Sequence, residues 1–225
     1  MLWIIETEPA IAHDGTMELS DPYRTDVGFL EGNPSIRGHL TRRDVTFPKA
    51  ATTPTGGLVA GEPIYVLAHA GFHKSGEPWI GGMSFKAFAE EMVTKFGAQL
   101  KKRTVYALVC FIGSQAHRLA EALAEAGAEN VTVYVPDKLM YVSTAGIPHV
   151  LQPDWAFEVG NKKVQAHQSR HKGFNESLPC GKGWSGANGA AGTATVIPPK
   201  DVENAVIGHF DPARAESEKA VSGKK

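Results

Sequence analysis

Two residues able to do covalent chemistry close two apolar runs of this chain. Pro63-Ile64-Tyr65-Val66-Leu67-Ala68 stops on His69, and Thr104-Val105-Tyr106-Ala107-Leu108-Val109 stops on Cys110. A thiol that passes its proton to a neighbouring imidazole becomes a nucleophile, and an imidazole with an unperturbed pKa of about 6.5 can accept that proton near neutrality. Each residue also has a plainer reading. A cysteine on an apolar run is by itself a small buried hydrophobe, and a lone strand-end histidine is a hydrogen-bonded structural residue. Their conjunction favours chemistry, provided that the fold brings both ends to one edge.

The intervening sequence predicts that it does. Both runs are nearly continuous apolar sequence, as in strands buried on two faces. Between them Ser84 is a candidate N-cap, and Phe85, Phe88, Ala89, Met92, Val93 and Phe96 form one helical stripe that ends near Gly97. A strand–helix–strand crossover makes its strands parallel and sets their C-terminal ends at the same edge. Open α/β sheets place ligands and chemistry at that edge. Gln115–Ala126 repeats the helical pattern through Ala116, Leu119, Ala120, Leu123 and Ala124, with Gly127 as the C′ residue. Val131–Val135 then reads as a third buried strand, closed by Pro136-Asp137. The expected fold is α/β: a three-layer sandwich, mainly parallel, with helices on both faces and a C-terminal β-flap.

The flanks are less patterned. Leu2–Thr7 reads as a short strand. Pro9–Gly57 reads as loops with two short strands, at Val27–Leu30 and Val45–Phe47. That stretch is too long for an ordinary connection. Beyond the third strand, Lys138–Val142 and His149–Gln152 suggest a hairpin around Ala145-Gly146, with further strands at Trp155–Val159 and Lys163–Gln165. A domain is expected over residues 1–175 with its core at 62–146, followed by a Gly-rich irregular segment and a charged tail at 176–225.

Composition narrows the classes. The 225 residues are 42% hydrophobic and 21% charged, with a formal net charge of −1, so no overall field recruits nucleic acid or acidic membranes. No apolar stretch reaches the roughly 18 residues of a membrane span. Met1-Leu2-Trp3-Ile4-Ile5-Glu6 has no basic n-region, so synthesis and folding in a reducing cytoplasm are expected, with signal-independent export as the route to any outside role. The two cysteines, Cys110 and Cys180, carry no mark of a disulfide framework.

Several of these features occur together in one known group. His69 shortly before Gly71, the Gly81-Gly82 pair ahead of a helix entered through Met83-Ser84, an apolar strand ending in cysteine, and the helix with Leu119-Ala120-Glu121-Ala122-Leu123 resemble the caspase–gingipain-like cysteine peptidases. Within that group the chain is most similar, over roughly Glu62 to Gly146, to the self-cleaving cysteine peptidase domain of bacterial RTX toxins. The resemblance implies a Cys110–His69 dyad cutting a protein substrate, and a bacterial toxin or effector. It also implies an oxyanion hole from loop amides. The family places Gly directly after His, whereas this chain reads His69-Ala70-Gly71, which leaves the Ala70 N–H, with that of Cys110, to hold the oxyanion. His73 is then a rival base. No cofactor is required, but the resemblance implies an inositol hexakisphosphate activator, for which Lys162, Lys163, Arg170, His171 and Lys172 are the candidate ligands. The alternative for that cluster is a solvated basic loop. With no segment ahead of the first strand to offer a scissile bond, cleavage in trans is expected.

Other constellations are weaker. Glu77 or Asp137 could orient the imidazole, and Trp79 could line a substrate pocket or cap the core. His167 and His171 have an H-x₃-H spacing with Cys180 nearby, but no helical pattern supports zinc and no metal is expected. The glycine-rich stretches Gly71–Gly82 and Gly181–Gly192 match no nucleotide-binding motif, and no G-x-S-x-G occurs. Two alternatives accompany the peptidase: a catalytically inactive fold that binds a protein partner, and a cysteine-dependent amidase or acyl transferase on a non-protein substrate.

Overall fold

Side-chain alternation along each central strand separates two apolar layers, one on either face of a twisted sheet. The computed structural model describes residues 1–32, 43–47, 54, 57–110, 112, 115–128, 130–136, 140–142, 146, 148–150, 184–190 and 193–197. The strands are β1 (Leu2–Ile5), β2 (Ala10–Ile11), β3 (Met17–Glu18), β4 (Arg43–Thr46), β5 (Ile64–Ala68), β6 (Ala70–Phe72), β7 (Pro78–Ile80), β8 (Met83–Ser84), β9 (Thr104–Leu108), β10 (Thr132–Pro136), β11 (Met140–Val142), β12 (Pro148–Val150), β13 (Trp184–Ala190) and β14 (Thr193–Ile197). The helices are α1 (Asp21–Gly32), α2 (Phe85–Phe96) and α3 (Ala116–Glu125).

Seven strands form the main sheet, in the order β14-β13-β10-β9-β5-β1-β4. The five from β10 to β4 run parallel, and β13 and β14 add an antiparallel edge. Counted in chain order, the parallel strands lie 2-1-3-4-5 across the sheet, a doubly wound arrangement whose order reverses between β1 and β5. Trp3, Ile5, Ile64, Val66, Val105, Ala107 and Val133 face α2 and α3. Leu2, Ile4, Tyr65, Leu67, Tyr106, Leu108 and Tyr134 face α1, through its Tyr23, Val27 and Leu30. The expected α/β organisation, a mainly parallel sheet between helices, is therefore present.

Local chemistry sets the element ends. The Ser84 hydroxyl accepts the Ala87 N–H at 3.3 Å and caps α2. After α3, Ala128 N–H bonds the Leu123 carbonyl and Gly127 N–H that of Ala124, with Gly127 at φ 100°, a Schellman ending. Gly81 and Gly82, at φ 57° and 75°, form the two-residue turn from β7 to β8.

Two expectations fail here. Val27–Leu30 is part of α1, not a strand. Tyr23, Val27 and Leu30 recur at i, i+4 and i+7, and Pro22 lies in the first turn, where its missing N–H costs nothing. The Gly-rich segment is not irregular over Trp184–Ala190 and Thr193–Ile197, which pair as a hairpin on β10. Its glycines permit close packing: a Cβ on Gly189 would stand 2.2 Å from the Ala120 carbonyl oxygen of α3. The expected strands at Trp155–Val159 and Lys163–Gln165 fall outside the described residues.

Candidate active site

Three adjacent parallel strands, β1, β5 and β9, bring their last residues to one level of the sheet. The β5–β9 register ends at Leu67 opposite Leu108, and counting two residues on from each puts His69 level with Cys110 just past the strand ends. The β1–β5 register ends at Ile5 opposite Ala68, and one further residue sets Glu6 beside His69. Alternation puts all three side chains on the α1 face, in line with Ile4, Leu67 and Leu108. Neighbouring strands lie about 4.8 Å apart. The sequence thus brings a carboxylate, an imidazole and a thiol into one row, at the β1/β5 position where the winding reverses.

Cys110 is half-buried. Its Sγ accepts the Met140 N–H at 3.4 Å and lies 3.9 Å from the Met140 carbonyl oxygen. Met140 opens β11, which pairs antiparallel with β12, so the root of that hairpin touches the sulfur. An N–H aimed at sulfur is the partner a thiolate accepts. His69 is also half-buried, and the Tyr23 ring of α1 covers it, with centroids 5.0 Å apart and planes tilted by 51°.

Glu6, which sequence reasoning missed, is almost fully buried. Its Oε1 accepts the Glu8 N–H at 2.9 Å, and its Oε2 accepts the Ser20 N–H at 2.9 Å and the Ser20 hydroxyl at 2.6 Å. Ser20 in turn offers its carbonyl to Arg24 N–H and so begins α1. The end of β1 thereby fixes the helix that carries Tyr23. Burial above all, and then the Glu6 carboxylate, push the Tyr23 hydroxyl far above its ordinary 10.0, so it stays a protonated donor. The signal for Glu6 was present in the alternation Leu2, Ile4, Glu6, but it has meaning only once the β1–β5 register is known.

Next to His69, β6, β7 and β8 form a small sheet. Gly81 N–H donates to the His69 carbonyl at 2.7 Å and His73 N–H to the Glu77 carbonyl at 2.8 Å, with Gly71 opposite Trp79. Hydrogen-bonded pairs alternate along such a ladder, so Ala70, opposite Ile80, turns its N–H away from β7. That amide is left outside the ladder, as an oxyanion donor must be. His73 is exposed in the turn beyond β6, with its ring 6.3 Å from that of Trp79. The register aligns His69 rather than His73 with Cys110. Trp79 is half-buried and lies over Gly71, where a Cβ would come within 3.2 Å of the indole. Glu77, one candidate to orient the imidazole, pairs instead with Arg118 of α3 at 2.8 Å. A groove of about 290 Å³ beside that pair, between the start of α2 and the length of α3, lies on the other face of the sheet from Cys110.

Asp137, Lys162, Lys163, His167, Arg170, His171, Lys172 and Cys180 lie outside the described residues.

No protein-family model matches the chain, and no curated protein matches it in sequence.

No helix among the described residues is long and apolar enough to cross a membrane.

Proposed function

We propose that the chain is a cysteine peptidase of the caspase-like kind, working through Cys110 and His69. What carries this reading is the shared level of the two residues on one face, at the C-terminal rim of neighbouring parallel strands. Cys110 passes its proton to His69 and the sulfur adds to a peptide carbonyl. The Ala70 and Cys110 amides hold the resulting oxyanion, and each such donor is worth about 10²–10³ in rate. Collapse of the tetrahedral species breaks the C–N bond, and His69 returns its proton to the leaving amine. Water, deprotonated by His69, then hydrolyses the thioester and frees Cys110.

The toxin-like resemblance extends the reading to an effector that cuts a protein in trans, with inositol hexakisphosphate as activator. Those extensions rest on the residue pattern alone. The direct test is peptide hydrolysis over a library of substrates, with and without inositol hexakisphosphate. Cys110→Ala and His69→Ala, both folded, are expected to reduce turnover at least 10³-fold. Unchanged cleavage in both variants would end the proposal.

A further inference from the structure

Tyr23 is only 3% exposed, and among the described residues its hydroxyl makes no completed hydrogen bond. A buried hydroxyl left so is costly, and a fold that tolerates it does so for a reason. The ring that carries it lies against the imidazole of His69. The charged or titratable groups that act on the hydroxyl are Glu6 from the end of β1, Cys110 from the end of β9 and Asp26 of α1, and the His69 backbone lies next to it. The phenol belongs to the same layer that Cys110 packs against, so ring and thiol lie on one face of the sheet.

We propose that Tyr23 is the thiolate donor of this site: when Cys110 loses its proton to His69, the Tyr23 hydroxyl donates a hydrogen bond to Sγ alongside the Met140 N–H. The inference rests on the reading of Cys110 and His69 as a reactive pair. The proton count closes, because the thiol proton resides on the imidazole and the phenol keeps its own. Burial and Glu6 hold it protonated throughout the neutral range. Met140 already supplies one donor at 3.4 Å, and a thiolate accepts more than one. In the thiol form a second donor is not needed, which explains why the hydroxyl is unengaged. Its ring, meanwhile, holds the imidazole in place.

The test is the pH dependence of Cys110 alkylation by iodoacetamide, read residue by residue by mass spectrometry in a Cys180→Ser background. Tyr23→Phe keeps the ring over His69 and removes only the hydroxyl. Its alkylation midpoint is expected to rise by about one pH unit, a roughly tenfold loss of thiolate below the midpoint. Its thermal midpoint is expected to stay level or rise, since an unengaged buried hydroxyl has gone. A structural role alone would move stability and leave the thiol untouched, so an unchanged alkylation profile overturns the inference. Should Tyr23→Phe not fold, 3-fluorotyrosine incorporation supplies a stronger donor of the same shape, and the midpoint must fall. His69→Ala separates the two readings. A low, His69-dependent midpoint that ignores Tyr23→Phe defeats this inference alone, whereas an ordinary midpoint indifferent to His69→Ala defeats the reactive pair and this inference with it.

Discussion

The carboxylate of Glu6 holds both the amide and the hydroxyl of Ser20, at 2.9 Å and 2.6 Å, and so ties the end of β1 to the start of α1. Through that tie Glu6 fixes the helix whose Tyr23 lies on His69. Removing it leaves three part-buried donors without their acceptor. Glu6→Ala is expected to lose about 2–4 kcal/mol in urea unfolding. Glu6→Gln keeps an acceptor oxygen and should lose less than half of that. Equal losses in the two variants would show that the tie does not depend on acceptance by this side chain.

The contact between β13 and α3 makes a second demand. Gly189 has no room for a side chain, because its Cβ position lies 2.2 Å from the Ala120 carbonyl oxygen and 2.9 Å from the carbonyl carbon. Backbone cannot step aside as a flexible side chain can. Gly189→Ala is expected to destabilise by about 1–3 kcal/mol, with faster hydrogen exchange at the Asn130 and Gly189 amides that knit β13 to the segment before β10. Stability unchanged within ~0.3 kcal/mol would contradict this packing.

Alkaline pH probes the other layer. Tyr65, Tyr106 and Tyr134 stack across β5, β9 and β10 with centroids 5.4 and 5.2 Å apart. Burial raises the Tyr106 hydroxyl well above its ordinary 10.0, as it does that of Tyr23. Both groups stay protonated in the folded chain above the pH at which the unfolded chain releases the proton. Their contribution is therefore complete below pH 10 and is lost as pH rises beyond it. Each adds a slope of up to about 1.4 kcal/mol per pH unit. Thermal midpoints measured from pH 9 to 11.5 should fall steeply above pH 10, and less steeply in Tyr106→Phe. Parallel curves would refute the assignment.

Much of this architecture was legible in the sequence because the central elements satisfy several rules together. Ser84 caps a helix whose stripe from Phe85 to Phe96 is unbroken, and Gly127 ends the next one. The doubly apolar runs of β5, β9 and β10 cannot be exposed strands. Helix α1 escaped because Pro22, Gly28 and Gly32 lower its propensity while Tyr23, Val27 and Leu30 still find a sheet to bury against. The β13–β14 hairpin escaped for the opposite reason. Glycine punctuates loops in most sequences, and only the approach of α3 turns it into a packing requirement. Of the site, one crossover was enough to expect His69 and Cys110 at the same edge of the sheet. Glu6 and Tyr23 did not, since their places depend on the β1–β5 register and on a helix that the sequence hid.

The most direct measurement is the rate at which Cys110 is alkylated by iodoacetamide at pH 6.5 in a Cys180→Ser chain, compared with the same chain carrying His69→Ala. An isolated thiol of pKa about 8.5 is only about 1% thiolate at that pH. A reactive pair predicts labelling at least tenfold faster than a free cysteine, and a loss of at least tenfold on removal of the imidazole. Labelling no faster than a free cysteine, with the same rate in both chains, would contradict it.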